Sequence, residues 1–244
     1  MLSNKTALIT GASRGIGRGI AQLFSEKGCF VGINYRNDDA AAEQTLKLVK
    51  KKGNGMLLKG DASNLNDMET IVNQLVEKRS SIDILINNAG IYERNRFEDI
   101  SIEAWDKIIN VNLTSCYYLC QLILPHMGKE GRIIFISSQL AFKGSAHGSD
   151  YATSKAGMLG LMRSLALELA DIPIYVNAVA PGTIDTDIIA HYTSEMRKNR
   201  MKDIPLNRLG TAEDIAKTCL FLASNLSTYI TGETINVNGG LYIH

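Results

Sequence analysis

Three side chains between Ser138 and Lys155 could together handle the oxygen of a carbonyl or an alcohol: Ser138 itself, Tyr151 and Lys155. Tyr151 and Lys155 are four apart, at the head of a stretch whose apolar residues, Met158, Leu159, Leu161, Met162 and Leu165, recur at helical spacing. Residues four apart share a helix face, which puts an ammonium beside a phenol. A free tyrosine has a pKa of about 10, and a nearby positive charge favours its ionised form, so the pair predicts a Tyr151 pKa lowered toward neutrality and useful for proton transfer. Ser138 follows an apolar strand predicted over Arg132 to Ser137 and offers a second hydroxyl to the same oxygen. A Tyr-x-x-x-Lys spacing alone also describes an exposed lysine beside a half-buried tyrosine, so the surrounding elements decide.

Those elements alternate. A strand from Lys5 to Thr10 runs into Thr10-Gly11-Ala-Ser13-Arg14-Gly15-Ile16-Gly17, and the helical pattern Ile20, Leu23, Phe24 follows. A strand, a glycine turn and a helix start form an arrangement that binds a pyrophosphate: glycines let the backbone approach, and the helix end offers free N–H groups and a positive dipole. The next strand, Phe30 to Tyr35, ends at Arg36, where an acidic residue would select a ribose 2'-hydroxyl and a basic one a 2'-phosphate. Arg36 and Arg14 near one place therefore predict NADP(H). Asp38 and Asp39 would reach the ribose only after a two-residue slip, and fit better as the acidic opening of a helix from Asp39 to Lys52.

Further strands are predicted over Gly55 to Lys59, Asp83 to Ile86, Arg132 to Ser137, Ile174 to Val179 and within the tail Ile230 to Tyr242. Helices are predicted from Asn66 to Lys78, from Ser101 as N-cap toward Met127 as a short and then a long helix, and from Thr211-Ala-Glu-Asp214 through Ala223. The alternation predicts an α/β, Rossmann-like, doubly wound fold: a seven-stranded, mainly parallel sheet with helices on both faces and ligands at the carboxyl ends of the strands. Asp61 with Ala62, and the turn Asn87-Asn88-Ala89-Gly90, fall at such ends.

The chain has 244 residues, and one of that size can bury roughly 70–75% of its unfolded surface, which suits a single domain over residues 1–244. Its 26 basic and 25 acidic residues leave a charge of +1, which gives nucleic acid or an anionic membrane no purchase. Neither an apolar run of the ~20 residues a membrane span needs nor a signal-peptide pattern is read, so a cytoplasmic location is expected. Cys29, Cys116, Cys120 and Cys219 sit among apolar neighbours without metal spacing and are read as buried thiols in a reducing compartment. His126, His147, His191 and His244 lack ligand spacing, and no metal is expected.

Taken together, the motifs resemble those of the short-chain dehydrogenase/reductases. Thr10-Gly-x-x-x-Gly-x-Gly17, Asn87-Asn-Ala-Gly90, Ser138 ahead of Tyr151, Lys155, and Pro181-Gly182 followed by Thr186 match in order and spacing over nearly the whole chain. The resemblance implies Tyr151 as general acid or base, Lys155 as holder of the nicotinamide ribose and tuner of Tyr151, and Ser138 as a support for the substrate oxygen. It implies Asn112, with Asn110 as the rival, for a fourth catalytic position that places a water in a proton relay. It also implies that NADP(H) lies along Gly11, Ser13, Arg14, Gly15, Ile16 and Gly17, beside Arg36, Asp61 and Ala62, over Asn88, Ala89 and Gly90, and on to Tyr151, Lys155, Pro181, Gly182, Ile184 and Thr186. A substrate lid is implied over about 184–208.

The tail and Asn207-Arg-Leu-Gly210 look most like the 3-oxoacyl-acyl-carrier-protein reductases, which implies a carrier-bound ketone substrate and a homotetramer. Those enzymes commonly carry basic residues before the fifth and sixth strands, where an acidic carrier docks. Lys129 and Arg132 suit the first place; the second holds Asp171 instead, which would repel an acidic partner and opens the alternative of a free ketone, such as a small 3-oxo compound, a steroid or a sugar. A non-catalytic nucleotide-binding protein is the third reading, and the presence of Asn112, Ser138, Tyr151 and Lys155 weighs against it.

Overall fold

A computed structural model of the chain describes residues 1–243; His244 lies outside the described residues. Seven strands form one sheet: β1 (Thr6–Ile9), β2 (Phe30–Tyr35), β3 (Asn54–Lys59), β4 (Ile84–Asn87), β5 (Arg132–Ile136), β6 (Tyr175–Pro181) and β7 (Thr234–Val237). Their order is β3-β2-β1-β4-β5-β6-β7, and all six pairings are parallel, so the sheet is wholly parallel where a mainly parallel one was expected. Strands buried on both faces need no polar alternation. Accordingly β1, β4 and β5 are buried at every position, as Thr-Ala-Leu-Ile, Ile-Leu-Ile-Asn and Arg-Ile-Ile-Phe-Ile.

Alternate side chains leave the sheet on opposite faces and build two cores. Leu8, Leu85, Ile133 and Phe135 pack with Ile71 and Leu75 of α3 (Leu65–Arg79), Leu119 and Ile123 of α5 (Ser115–Ile123), and Met158 and Met162 of α7 (Ser149–Glu168), which follows the single-turn α6 (Leu140–Lys143). Ile9, Ile84, Ile86 and Ile134 pack on the other side with Ile20 and Phe24 of α1 (Gly15–Glu26), Val49 of α2 (Asp39–Lys50), and Ile215 and Leu222 of α9 (Ala212–Ala223). Gly19 brings α1 close to α9, since a Cβ there would lie 2.9 Å from that of Ala212. Helix α9 opens with the expected capping box between Thr211 and Asp214. The strand order reverses between β1 and β4, and a doubly wound sheet opens a crevice at that point, outside the strands' carboxyl ends.

Two expectations change. Residues Ile102–His126 form one helical stretch rather than two helices: α4 (Ile102–Ile109), a π-helical turn over Asn110–Thr114, then α5 and a short 3-10 turn. By length and composition that stretch is apolar enough to cross a membrane, contrary to the sequence reading. Its Ile108, Cys116, Leu119, Cys120 and Ile123 are buried in the protein, which accounts for the apolar composition. The lid region holds a 3-10 turn (Asp187–Ile189) and helix α8 (Ser194–Lys202), none of whose residues is buried.

Candidate active site

The glycine turn after β1 is braced from β4. Thr10 Oγ1 accepts hydrogen bonds from the backbone N–H groups of Asn88 and Ala89, both at 2.9 Å, while Asn88 Nδ2 donates to the carbonyls of Thr10 and Gly11 at 2.7 and 3.1 Å. Gly11 and Gly15 have φ of +59° and +56°, a region that favours glycine. A Cβ on Gly17 would lie 2.6 Å from the Gly11 carbonyl and 2.7 Å from Asn88 Nδ2, so the third glycine keeps helix and turn in contact. The start of α1 has no side-chain cap, which leaves its N–H groups facing the crevice between β1 and β4. The residues present thus fit a dinucleotide pyrophosphate.

At the tip of β2, Arg36 borders a depression of about 440 Å³ that it shares with Asn37, Lys59, Gly60, Asp61 and Asp67. Arg36 Nη1 lies 3.4 Å from Asp61 Oδ2, and Ser63 bonds the other carboxylate oxygen. Asp38 caps α2 by accepting from the Ala41 N–H, and Asp39 is taken up by Tyr35 and Lys59, so neither carboxylate slips to the ribose position. Arg14, exposed on the glycine turn, faces the lid. Its Nε is 3.6 Å from Asp187 of the lid, and the basic partner beside Arg36 is Lys59. Ala62 is buried beneath Asp61 in the core.

Ser138, Tyr151 and Lys155 converge at the ends of β5 and α7. The Ser138 hydroxyl lies close enough to the Tyr151 phenol to favour its ionised form, and the Lys155 ammonium lies 5.6 Å from the Tyr151 ring centroid. Lys155 donates to the Ile136 carbonyl at 2.8 Å, and its own carbonyl accepts from Ser137 Oγ at 2.9 Å, which pins α7 to the end of β5. The predicted lowering of the Tyr151 pKa is not found. Burial pushes the phenol up to about 12, and Tyr92 adds to that against the opposing Ser138 hydroxyl. The same burial brings Lys155 down to about 8. Desolvation penalises both charged forms, and in this low-dielectric setting it outweighs what an ammonium bonded to a carbonyl does for the phenol.

The π-helical turn carries both Asn110 and Asn112 and aims them in different directions. Asn112 is fully buried, accepting from the Ile91 N–H at 2.8 Å and donating to the Ile91 carbonyl at 3.0 Å and Ser154 Oγ at 3.1 Å. A Cβ on Gly90 would lie 3.2 Å from Asn112 Oδ1 and 3.4 Å from Lys155 Nζ, so Gly90 keeps those groups adjacent. Asn110, two residues earlier, points to the Ser63 carbonyl. An extra residue in a helical turn re-aims the side chains after it, and such turns are frequent at functional sites.

The far wall comes from β6 and the lid. Pro181 ends β6 and accepts from the Gln139 N–H, and Gly182 approaches Asn238 so closely that a Cβ would lie 2.7 Å from its Cα. Ile184 is buried and bridges to Gly210. Thr186 lies over the glycine turn, its Cβ 3.6 Å from where a Gly15 Cβ would be. Within the lid, Arg197 pairs with Asp185, and Arg200 donates to Thr183 Oγ1 at 2.9 Å.

Two groups escaped the sequence reading. Asn34, on β2, is 2% exposed; its carbonyl accepts from the Ala12 N–H and its side chain donates to the Leu58 and Gly60 carbonyls, which ties the glycine turn to β2 and β3. A buried asparagine in an apolar strand is the signal that could have found it. Tyr92 packs edge-on against Tyr151, and nothing in its spacing announces that. Arg132 is a correction: only 4% exposed, with its guanidinium 3.8 Å above the Tyr175 ring and bonded to the Ser224 carbonyl, it is no docking residue. Lys129, Glu130 and Asp171 are exposed there.

A family profile described as Enoyl-(Acyl carrier protein) reductase matches residues 11–242. The chain belongs to the short-chain dehydrogenase/reductase family. It is 42% identical over 244 residues to a 3-oxoacyl-acyl-carrier-protein reductase FabG of Haemophilus influenzae, covering 99% of this chain and 100% of the relative. A protein of the same name from Staphylococcus aureus is 39% identical over 246 residues, with all of both chains covered. Among solved structures, a short-chain dehydrogenase from Burkholderia cenocepacia in complex with NADP superposes with a TM-score of 0.93 at 30% identity, covering 98% of each chain.

Proposed function

We propose that this enzyme is an NADPH-dependent ketoreductase that reduces the ketone of a 3-oxoacyl thioester, with an acyl-carrier-protein thioester as the leading substrate. The observation that carries the reading is the convergence of the Ser138 hydroxyl, the Tyr151 phenol and the Lys155 ammonium, set beside a glycine turn fitted for a pyrophosphate. The FabG relatives and the NADP complex support the substrate class and the cofactor.

When bound, the reduced nicotinamide supplies the hydride. Negative charge then builds on the carbonyl oxygen, and the hydroxyls of Ser138 and Tyr151 are aimed where it develops. A phenol with a pKa near 12 keeps its proton at neutral pH and gives it to an alkoxide, a stronger base. Reduction therefore uses the form of Tyr151 that the fold favours; oxidation of an alcohol would need the rarer phenolate. Lys155 and Asn112, adjacent through Gly90, are the groups proposed to hold the ribose and to return the proton to Tyr151. Thr186 and Ile184 begin the lid, over about 184–208, that closes the cofactor in.

Arg36 is proposed as the residue that selects the 2'-phosphate. A hydrogen bond to a charged group contributes about 1.5–3 kcal/mol. Arg36→Ala should therefore weaken NADPH binding about 10- to 100-fold and leave NADH nearly unchanged, as read from the fluorescence of the reduced cofactor. Equal loss for the two cofactors would place the selection elsewhere.

The buried Arg132 and exposed Asp171 favour a second reading, a free ketone in place of a carrier-bound one. The deciding experiment compares kcat/KM for an acetoacetyl group on acyl carrier protein and on a small thiol. A large preference for the carrier form supports the leading substrate; equal or negligible rates on both turn the search to free ketones. Four buried free cysteines support a reducing, cytoplasmic setting. Exposed Tyr117 on α5 and Leu167 on α7 support the homotetramer, which light scattering would test.

A further inference from the structure

Tyr92 lies two residues beyond Gly90, in the segment that follows β4, and reaches across to the opposite side of the site. Its hydroxyl donates to the His147 carbonyl at 3.0 Å. Its ring meets that of Tyr151 edge-on, with centroids 4.9 Å apart and planes at 65°, a favourable aromatic geometry. Gly148, with φ of +146°, makes room for it: a Cβ there would lie 2.8 Å from Tyr92 Cε2. One side chain thus joins the turn after β4, the turn that opens α7, and the phenol on the first turn of α7.

We propose that Tyr92 is a positioning residue for the reduction, holding the Tyr151 ring plane, and with it the direction of the phenolic O–H bond, which conjugation keeps in that plane, toward the substrate oxygen. This rests on the ketoreductase reading above. A tyrosine ring turns about its χ2 bond, and that rotamer well is broad. The edge contact from Tyr92 restricts the rotation, and the hydroxyl bond to His147 restricts Tyr92. The phenolic oxygen lies on the χ2 axis and stays in place, but its proton lies off that axis and is carried by up to about 1 Å when the plane turns, and a misplacement of that size can lower a rate about 100-fold.

Two variants separate the parts. Tyr92→Leu removes the ring edge; Tyr92→Phe keeps it and removes only the bond to His147. With NADPH and a small 3-oxoacyl thioester, Tyr92→Leu is expected to lower kcat about 10- to 100-fold with KM and cofactor affinity close to wild type, and Tyr92→Phe to recover most of that loss. A rise in KM with kcat intact, or wild-type kcat in both variants, would overturn the proposal. Ring-labelled tyrosine NMR reads the same claim without turnover: Tyr151 should flip slowly in wild type and Tyr92→Phe, and quickly in Tyr92→Leu. Equal flip rates in all three would also overturn it. A wild-type protein that reduces no ketone but shows the slow ring refutes the ketoreductase reading and leaves the positioning intact.

Discussion

Tyr151→Phe is expected to lower turnover about 10²- to 10⁴-fold, the range in which a positioned general acid acts, while NADPH affinity stays close to wild type. The substitution deletes one oxygen. The ring, its edge contact with Tyr92 and the helix beneath are kept. What goes is the proton donor and one of the two hydroxyls aimed at the substrate oxygen, so the loss should fall on kcat rather than on KM. Steady-state kinetics and a cofactor titration on the same preparation check it. Normal turnover by the variant would mean that the proton comes from another group.

Lys155→Met is expected to abolish measurable turnover and to make the cofactor-free protein more stable at neutral pH, by about 0.5–2 kcal/mol. Lys155 is buried, has a pKa near 8, and donates a hydrogen bond to the Ile136 carbonyl. Its folded pKa lies below the ordinary lysine value of about 10.4, so between those values the unfolded chain binds more protons than the folded one. The penalty for burying the charge is therefore full below about pH 8 and is relieved as pH rises toward the ordinary lysine range. Methionine has a similar volume and no charge, and it carries no such penalty. Denaturant unfolding should show the variant's advantage at pH 7 and its decline above pH 8. A less stable variant at pH 7 would mean that the ammonium is compensated in a way not seen here.

Much of this was legible in the chain. The apolar runs of β1, β4 and β5 are the pattern of strands covered on both faces, and the glycine turn, the Asn87 to Gly90 turn and Pro181-Gly182 mark their carboxyl ends. Tyr151 and Lys155 lie together because a helix puts residues four apart on one face. The environment of that pair was not legible: burial depends on how β5, α5 and α7 close around it, and burial reverses the expected direction of the Tyr151 shift. The π-helical turn at Asn112 was hidden for a related reason, since composition does not distinguish a five-residue turn from a regular one. Arg14 and Arg132 show the same limit for long side chains. Both were read from their strands and turns, while their guanidinium groups end at Asp187 and over Tyr175.

The central claim is that Ser138 and Tyr151 serve a carbonyl oxygen, and its sharpest test sets two substrates side by side. The purified protein would be mixed with NADPH and either a 3-oxoacyl thioester or the matching 2-enoyl thioester, with cofactor oxidation followed by absorbance and the product identified by mass spectrometry. A 3-hydroxyacyl product from the ketone and no reaction with the alkene are expected. Reduction of the enoyl thioester with the ketone untouched would contradict the claim, and would mean that the two hydroxyls serve another oxygen of the substrate.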